Sequence, residues 1–269
     1  MDHRLDLVSF WGITPGSRVL EIGCGQGDCT IVLADAVGES GHVDAVDPGA
    51  PDYGAPYTLS QSQSYITSGP LGHRISFYNA HPTDYLSSLP QSTQKYDYVV
   101  LSHCIWYFSS PSQLSTLVSA TCSWTKSLCV AEWSLRASKP QSHPHVLTAL
   151  LLASLEAKRK EEGHGNIRTV LSPAQIRSVT ESSSVLRLYA QEFRVSNEGL
   201  LDAYWEVSHT LRNREKVLKA LGEGGVSEKE LAAMAAMYDA VNAAVGIIDG
   251  GESGVRSMDV WIAKFQAVE

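Results

Sequence analysis

Val19-Leu20-Glu21-Ile22-Gly23-Cys24-Gly25-Gln26-Gly27-Asp28 decides the reading of this chain. An apolar run passes straight into a turn with glycine at every second position, and a helix is expected to begin near Asp28. Glycines so spaced admit positive φ and carry no side chain, so the backbone can approach a ligand within van der Waals distance. In open α/β sheets ligands sit at the carboxyl ends of the strands, where this turn lies. A dinucleotide fingerprint, G-x-G-x-x-G, needs its third glycine where Asp28 stands, and it points a helix amino terminus at a pyrophosphate. Here the spacing is G-x-G-x-G, and carboxylates flank the turn at Glu21 and Asp28. Negative side chains repel a pyrophosphate and attract a cation. The loop reads as a site for a positively charged ligand.

Outward from the loop, short β-branched runs alternate with helical stretches. Strands are predicted at Arg18 to Ile22, His42 to Val46, Arg74 to Asn79, Tyr96 to Ser102 and Ser127 to Trp133, several of them continuous apolar runs. Such runs belong to strands covered on both faces, hence to a parallel sheet. Two further strands are expected near Val185 to Val195 and Ser257 to Phe265. Three stretches, Ser110-Pro111-Ser112-Gln113, Ser172-Pro173-Ala174-Gln175 and Ser227-Glu228-Lys229-Glu230, have the form of capping boxes that start helices, the first running to about Trp124. After the third, Leu231, Met234, Tyr238, Val241, Val245 and Ile248 recur at helical spacing until Gly250-Gly251 ends the run. The predicted fold is α/β, a doubly wound, mostly parallel seven-stranded sheet with an antiparallel last strand and a helical cap inserted before it. The expected division is a core over 1–196, a cap over 197–252 and a closing strand over 253–269.

A chain of 269 residues with 43% hydrophobic and 19% charged residues is long enough for a substantial core. Its charged amino terminus has no apolar signal core, and its longest apolar stretch, Val146 to Leu155, falls short of the roughly 20 residues that cross a bilayer. A cytoplasmic protein is expected. A net charge of −8 gives no footprint for nucleic acid or an anionic membrane. The cluster Glu156 to Glu162 reads as a solvated helix face, with Glu156 four before Lys160 and Lys158 four before Glu162. Cys24, Cys29, Cys104, Cys122 and Cys129 offer no paired or zinc-binding spacing, and buried thiols are the expectation.

S-adenosylmethionine matches the cation-seeking loop, since it carries a sulfonium and an α-ammonium beside a ribose with two free hydroxyls. The second strand ends at Val46-Asp47-Pro48, about twenty residues past the last glycine, where a carboxylate can accept hydrogen bonds from both hydroxyls. With these residues the chain resembles the class I, Rossmann-like S-adenosylmethionine-dependent methyltransferases, and Val19 to Asp28 looks like their first motif. The resemblance implies that Glu21, Gly23, Gly25, Gly27 and Asp47 hold the cofactor. It further implies an adenine contact at Asn79-Ala80, with an amide where the family usually has a carboxylate, and a lining of the methionine end by Ser102-His103. Met258 to Ala263 is similar to the family's closing strand. The overall pattern, including the loop Pro48 to Gly54, resembles small-molecule methyltransferases of fungal natural-product pathways.

After the fourth strand, Ser102-His103-Cys104-Ile105 replaces the Asn/Asp-Pro-Pro-Tyr of enzymes acting on adenine or glutamine amides, which disfavours such substrates. One His and one Glu, His103 and Glu132, make a thin set for a divalent cation, so no metal is predicted. His103 is the candidate base, its ordinary pKa of about 6.5 suiting proton abstraction near neutrality; the alternative is that it only positions cofactor or substrate. His81 could hydrogen-bond at the adenine rim, and His143-Pro144-His145 is assigned to a helix start. Trp106, Tyr107 and Trp133 either wall an apolar acceptor or pack in the core, and Met234 and Tyr238 either roof that pocket or pack on a neighbouring helix. Acceptor selectivity is expected in the segments from Glu198 to Asp249, with a contribution from Pro144 to Glu162. The expected reaction is methyl transfer to a hydroxyl of a small, largely apolar molecule. Transfer to nitrogen or carbon, and a cofactor-binding scaffold or pericyclase-like protein, remain as alternatives, and the oligomeric state is open.

Overall fold

The computed structural model describes residues 1–159 and 167–268. A helix α1 (Asp2–Trp11) precedes β1 (Arg18–Ile22), α2 (Thr30–Ala36), β2 (His42–Asp47), α3 (Leu59–Thr67), β3 (Ile75–Asn79) and α4 (Pro82–Ser88). Next come β4 (Tyr96–Ser102), α5 (Pro111–Thr121), β5 (Thr125–Trp133), α6 (His143–Glu156), α7 (Pro173–Ser182) and β6 (Leu186–Arg194). Finally α8 (Asp202–Arg212), α9 (Arg214–Glu223) and α10 (Glu228–Gly246) lead into β7 (Val260–Ala267).

The sheet order is β3-β2-β1-β4-β5-β7-β6, and β7 runs antiparallel to both of its neighbours. This is the expected doubly wound α/β architecture. Strand residues alternate between two cores, as a period of two requires: Val19, Val43, Val100 and Cys129 enter one, and Leu20, Val46, Val99 and Leu128 the other. In the parallel register Ile22 lies beside Val46 and Leu101, so β1, β2 and β4 end at one level. The strand order reverses between β1 and β4, which places the ligand crevice of such a sheet there.

The carboxyl end of α1 is tied to the sheet by three hydrogen bonds. Trp11 Nε1 donates to the Ala263 carbonyl at 3.2 Å, Lys264 Nζ to the Trp11 carbonyl at 2.7 Å, and Tyr98 Oη to the Gly12 carbonyl at 3.0 Å. A third apolar cluster joins α6 to α8, α9 and α10, so the helical layer draws on a segment before β6 as well as on the insertion after it.

Several local expectations change. Capping boxes form at Ser172 and Ser227, but at Ser110 the hydroxyl bonds Ser112 Oγ at 2.8 Å and Gln113 Oε1 takes the Ser109 N–H at 2.8 Å. A serine inside the first turn competes for the cap hydroxyl there, where the box at Ser172 has Ala174. α5 ends at Thr121 rather than near Trp124, and the helix after the glycine turn begins at Thr30 rather than near Asp28. β7 begins at Val260 because Ser257 to Asp259 are bonded elsewhere: the Ser257 carbonyl takes Ser142 and Ser196 hydroxyls, and Met258 N–H donates to His145 Nδ1. Lys158 pairs with Glu230 of α10 at 2.5 Å, while Lys160 and Glu162 lie outside the described residues. Among the described residues no helix is long and apolar enough to cross a membrane.

Candidate active site

The glycine turn is built against its neighbours. Gly23 N–H donates to the Val46 carbonyl at 2.8 Å, and a Cβ on Gly23, at φ 74°, would stand 2.6 Å from the Cβ of Cys104. At Gly27, φ 94°, any side chain would be strained, and a Cβ would stand 2.6 Å from Cδ1 of Ile66 on α3. Gly25, at φ 53°, differs: a Cβ there would meet nothing within 4 Å, so its bare backbone faces open space. That combination, closed on two sides and open at the middle glycine, is a cradle for a ligand lying across the loop.

Asp47, at the end of β2, fastens this cradle. Its Oδ2 accepts the Gly25 N–H at 2.8 Å and its Oδ1 the Gly49 N–H at 2.7 Å. A carboxylate has about four acceptor positions, so two remain for ribose hydroxyls. Asn79 explains its own amide: Nδ2 donates to the carbonyls of Asp47 at 3.1 Å and Gly49 at 2.6 Å, bonds that a carboxylate could not make. Only its carbonyl oxygen is left for a ligand. Ala80 N–H donates to the Asp47 carbonyl at 3.2 Å. A cavity of about 520 Å³ adjoins these groups between α3 and the ends of β2 and β3, lined by Asp47, Gly49, Leu59, Gln63, Phe77 and Asn79. His81 is exposed before α4 and bonds Thr83 through Nδ1 at 2.8 Å.

Glu21 is 2% exposed, and burial pushes its carboxyl up to about 7 against the opposing bonds from Thr30 and Cys29. Thr30 Oγ1 donates to it at 2.5 Å. A cation set beside this carboxyl would favour its charged form.

At the end of β4, Ser102 is half-buried and His103 takes a left-handed conformation, φ 52°, that is rare for a residue with a side chain. Its N–H donates to the Ala131 carbonyl at 2.8 Å. The ring stands 4.5 Å from that of Trp133, its Nδ1 lies 3.7 Å from Glu132 Oε1, and its Nε2 lies 2.9 Å from Nε2 of His3 on α1. Burial, reinforced by the positive charge of Arg4, lowers the His103 pKa to about 3. Glu132 is 1% exposed; burial raises it to about 7, opposed by the backbone N–H groups of Trp133, Ile105 and Trp106 that it accepts. Trp133 also meets His145 edge-on at 5.1 Å, and His145 Nε2 pairs with Glu206 of α8 at 2.9 Å.

Not every expected residue joins this group. Trp106 is buried, its Nε1 donating to the Leu171 carbonyl at 3.0 Å and its own carbonyl taking the N–H groups of Arg168 and Thr169, so it is core rather than wall. Tyr107 stays half-exposed, and burial together with the charges of Glu206 and Asp202 raises its phenol. Met234 and Tyr238 are 4% and 1% exposed and pack among Leu151, Leu155 and Leu221, which makes them helix packing and not a roof over His103. His3, Arg4, His145, Asp202 and Glu206 were absent from the expected site. The spacing of His3, Leu7, Val8 and Trp11, all buried on α1, carries the signal that would have found the first of them.

A doubly wound sheet with an open glycine cradle, an acidic second strand end and a buried carboxyl beneath the loop defines a Rossmann-like S-adenosylmethionine-binding transferase. The family comparisons agree. A methyltransferase domain model matches residues 19–127. The methyltransferase phomM of Diaporthe leptostromiformis is 27% identical over 93% of this chain and 73% of its own length. The crystal structure of a cyclopropane-fatty-acyl-phospholipid synthase-like protein from Lactobacillus casei is 30% identical, with a TM-score of 0.82 over 98% of this chain and 89% of its own. Coclaurine N-methyltransferase, solved with N-methylheliamine and SAH, shares the fold at 14% identity and a TM-score of 0.52 over 97% of this chain and 72% of its own. The chain belongs to the class I S-adenosylmethionine-dependent methyltransferases, and S-adenosylmethionine is its cofactor.

Proposed function

We propose that the protein transfers the cofactor's methyl group to a hydroxyl of a small, largely apolar molecule of the secondary-metabolite type. The observation that carries this reading is the His103–Glu132 pair: a neutral imidazole whose Nδ1 has no hydrogen-bond partner among the described residues and lies 3.7 Å from a carboxyl, at the strand end where the methionine portion would lie. A hydroxyl, being weakly acidic, is the nucleophile that most needs a base, and a carboxylate beside the base stabilises the imidazolium that forms. The likeness to a fungal methyltransferase supports the substrate class.

The cofactor supplies an electrophilic methyl carbon on a cationic sulfur. This chain's residues do the rest. Gly23, Gly25 and Gly27 give it a bare backbone bed, Asp47 takes the ribose, and Glu21 provides negative charge near the methionine end. Asn79 braces the loop after β2, and Ser102 lines the bed. Trp133 and Tyr107 flank the space above His103, where alignment of the two reactants lowers the barrier further. We place acceptor selectivity in 197–252 together with α6, since α8 and α6 supply Asp202, Glu206 and His145 near Tyr107.

Those carboxylates favour one alternative, transfer to nitrogen, because they would hold an ammonium group. Incubation with S-adenosylmethionine and paired phenol and amine acceptors of equal size separates the readings. A mass gain of about 14 Da confined to phenols supports the hydroxyl. A gain confined to amines replaces it, and cofactor binding without any mass gain removes methyl transfer altogether.

A further inference from the structure

We infer that Arg4, on the first helix, holds the α-carboxylate of S-adenosylmethionine. The inference rests on the placement proposed above, with the methionine portion of the cofactor beside Glu21 and the end of β4, and it is independent of the acceptor. That portion carries an ammonium and a carboxylate on one carbon, and Glu21 answers only the ammonium. A carboxylate taken out of water needs a cation or several N–H donors, and arginine offers both in one planar group. α1 brings such a group to the carboxyl edge of the sheet. Its last residues lie against the amino-terminal half of β4, where Tyr98 Oη donates to the Gly12 carbonyl at 3.0 Å, while at its start His3 Nε2 stands 2.9 Å from Nε2 of His103, just past the end of β4. The helix therefore runs antiparallel to β4, and its first turn stands where the crevice opens.

Residues three, four and seven places after Arg4 are Leu7, Val8 and Trp11, all buried in one cluster with Cys29, Val32 and Leu33 at the start of α2. Arg4 shares their face of the helix, one turn beyond the last of these apolar contacts. Helical side chains lean toward the amino terminus of their helix, here outward over the strand ends. The neighbouring segment is Cys29-Thr30, and Thr30 Oγ1 is the hydroxyl bonded to Glu21. Arg4 is half-buried, yet its guanidinium makes no hydrogen bond or ion pair with the described residues. Arg136, which follows β5 at the same edge, is by contrast paired with Asp259 at 3.4 Å. The charge of Arg4 reaches both walls of the crevice, since after the larger effect of burial it acts to lower the pKa of Glu21 and of His103. Glu21 from β1 and Arg4 from α1 thus meet the ammonium and the carboxylate with opposite charges.

Calorimetry with two ligands isolates the carboxylate contact. The first is S-adenosylhomocysteine, and the second is its decarboxylated analogue, which keeps the ammonium. The unmodified protein should bind the analogue at least about tenfold more weakly, and equal affinities overturn the proposal before any variant is made. Arg4→Met keeps most of the apolar stem and removes the charge. It should weaken S-adenosylhomocysteine at least about tenfold while the analogue stays within about threefold of wild type, so that the discrimination disappears. Arg4→Lys, which retains the charge without the forked donors, should fall between. Equal weakening of both ligands in Arg4→Met assigns the residue to the shape of the helix interface and overturns the proposal, as does wild-type affinity for both. Failure of the placement reads differently: Asp47→Ala would then bind both ligands as the wild type does. If the placement holds and only the Arg4 contact is wrong, Asp47→Ala weakens both ligands while Arg4→Met leaves their ratio unchanged.

Discussion

The backbone N–H of Gly25 donates to Asp47 Oδ2 at 2.8 Å, so the residue assigned to the ribose also holds the middle of the glycine turn. Cofactor binding and loop shape are therefore coupled through one side chain. The cavity beside it is framed by α3, whose Gln63 Nε2 donates to the Gly25 carbonyl at 2.8 Å. The loop after β2 is fastened in turn, with Gln26 Nε2 on the Tyr57 carbonyl at 2.5 Å.

Asp47→Ala should weaken S-adenosylmethionine binding at least about tenfold in calorimetry, since charge-assisted hydrogen bonds are worth roughly 1.5–3 kcal/mol each. Asp47→Asn should fall between, because its single carbonyl oxygen can serve the loop or the ribose but not all four donors. Wild-type affinity in a folded Asp47→Ala protein would remove the ribose assignment.

Glu21 sets a pH dependence with a definite sign. Its folded pKa of about 7 lies above the ordinary 4.5, so the folded chain keeps a proton that the unfolded chain has lost between those values. The burial cost is absent below pH 4.5 and complete above 7, and stability from this group falls as pH rises through that window. Glu21→Gln should stabilise the cofactor-free protein by about 3 kcal/mol at pH 8 and hardly at all at pH 4.5. A cationic ligand reverses the balance by favouring the carboxylate. Cofactor affinity should then tighten roughly tenfold between pH 6 and 7.5 in the wild type and stay level in Glu21→Gln. A flat wild-type profile would separate Glu21 from the cofactor.

Met234→Ala and Tyr238→Ala should each lower stability by about 2–5 kcal/mol through the cavity left among Leu151, Leu155 and Leu221. Acceptor kinetics and cofactor Kd of the folded variants should remain near wild type. Denaturant titration and steady-state assays check both halves, and a selective change in acceptor KM would return these side chains to the pocket.

Legibility in the sequence followed the range of the interactions. Runs such as Val19 to Ile22 and Tyr96 to Ser102, apolar at most positions and on both faces because both faces are covered, announced the sheet directly. The glycine turn and Asp47 were readable because their chemistry lies within one β-α-β unit. Ser110 and Ser172 present the same S-P-x-Q pattern, yet only the second forms a box, since what occupies x competes for the cap. The histidine group was not readable: His3, His103 and His145 come from α1, β4 and α6, and only the tertiary fold brings them to Trp133. Met234 and Tyr238 kept a helical period that fits packing and pocket alike, and only the position of α6 decides between them.

The pH dependence of turnover should belong to Glu132 and not to His103. Burial holds His103 near 3, so its ring is neutral throughout the range above about pH 4 and its own titration lies outside the working range. Glu132, held near 7, changes charge in the working range. Its carboxylate stabilises the imidazolium formed as the acceptor loses its proton, and its protonated form does not. The rate at saturating substrates should accordingly rise with pH through about 7 and then level off. Glu132→Gln should be slow and flat, since the amide carries no charge at any pH. His103→Gln should also be slow and flat, by roughly 10²–10⁴-fold at the plateau if proton removal is part of the rate-limiting step. The ordinary pKa of a histidine falls in nearly the same window, so the wild-type curve alone cannot say which group titrates. The Glu132→Gln curve can: a rise preserved in that variant would assign the titration to an imidazole, and a His103→Gln enzyme within about threefold of wild type from pH 6 to 9 would leave alignment of the reactants as the whole of the mechanism.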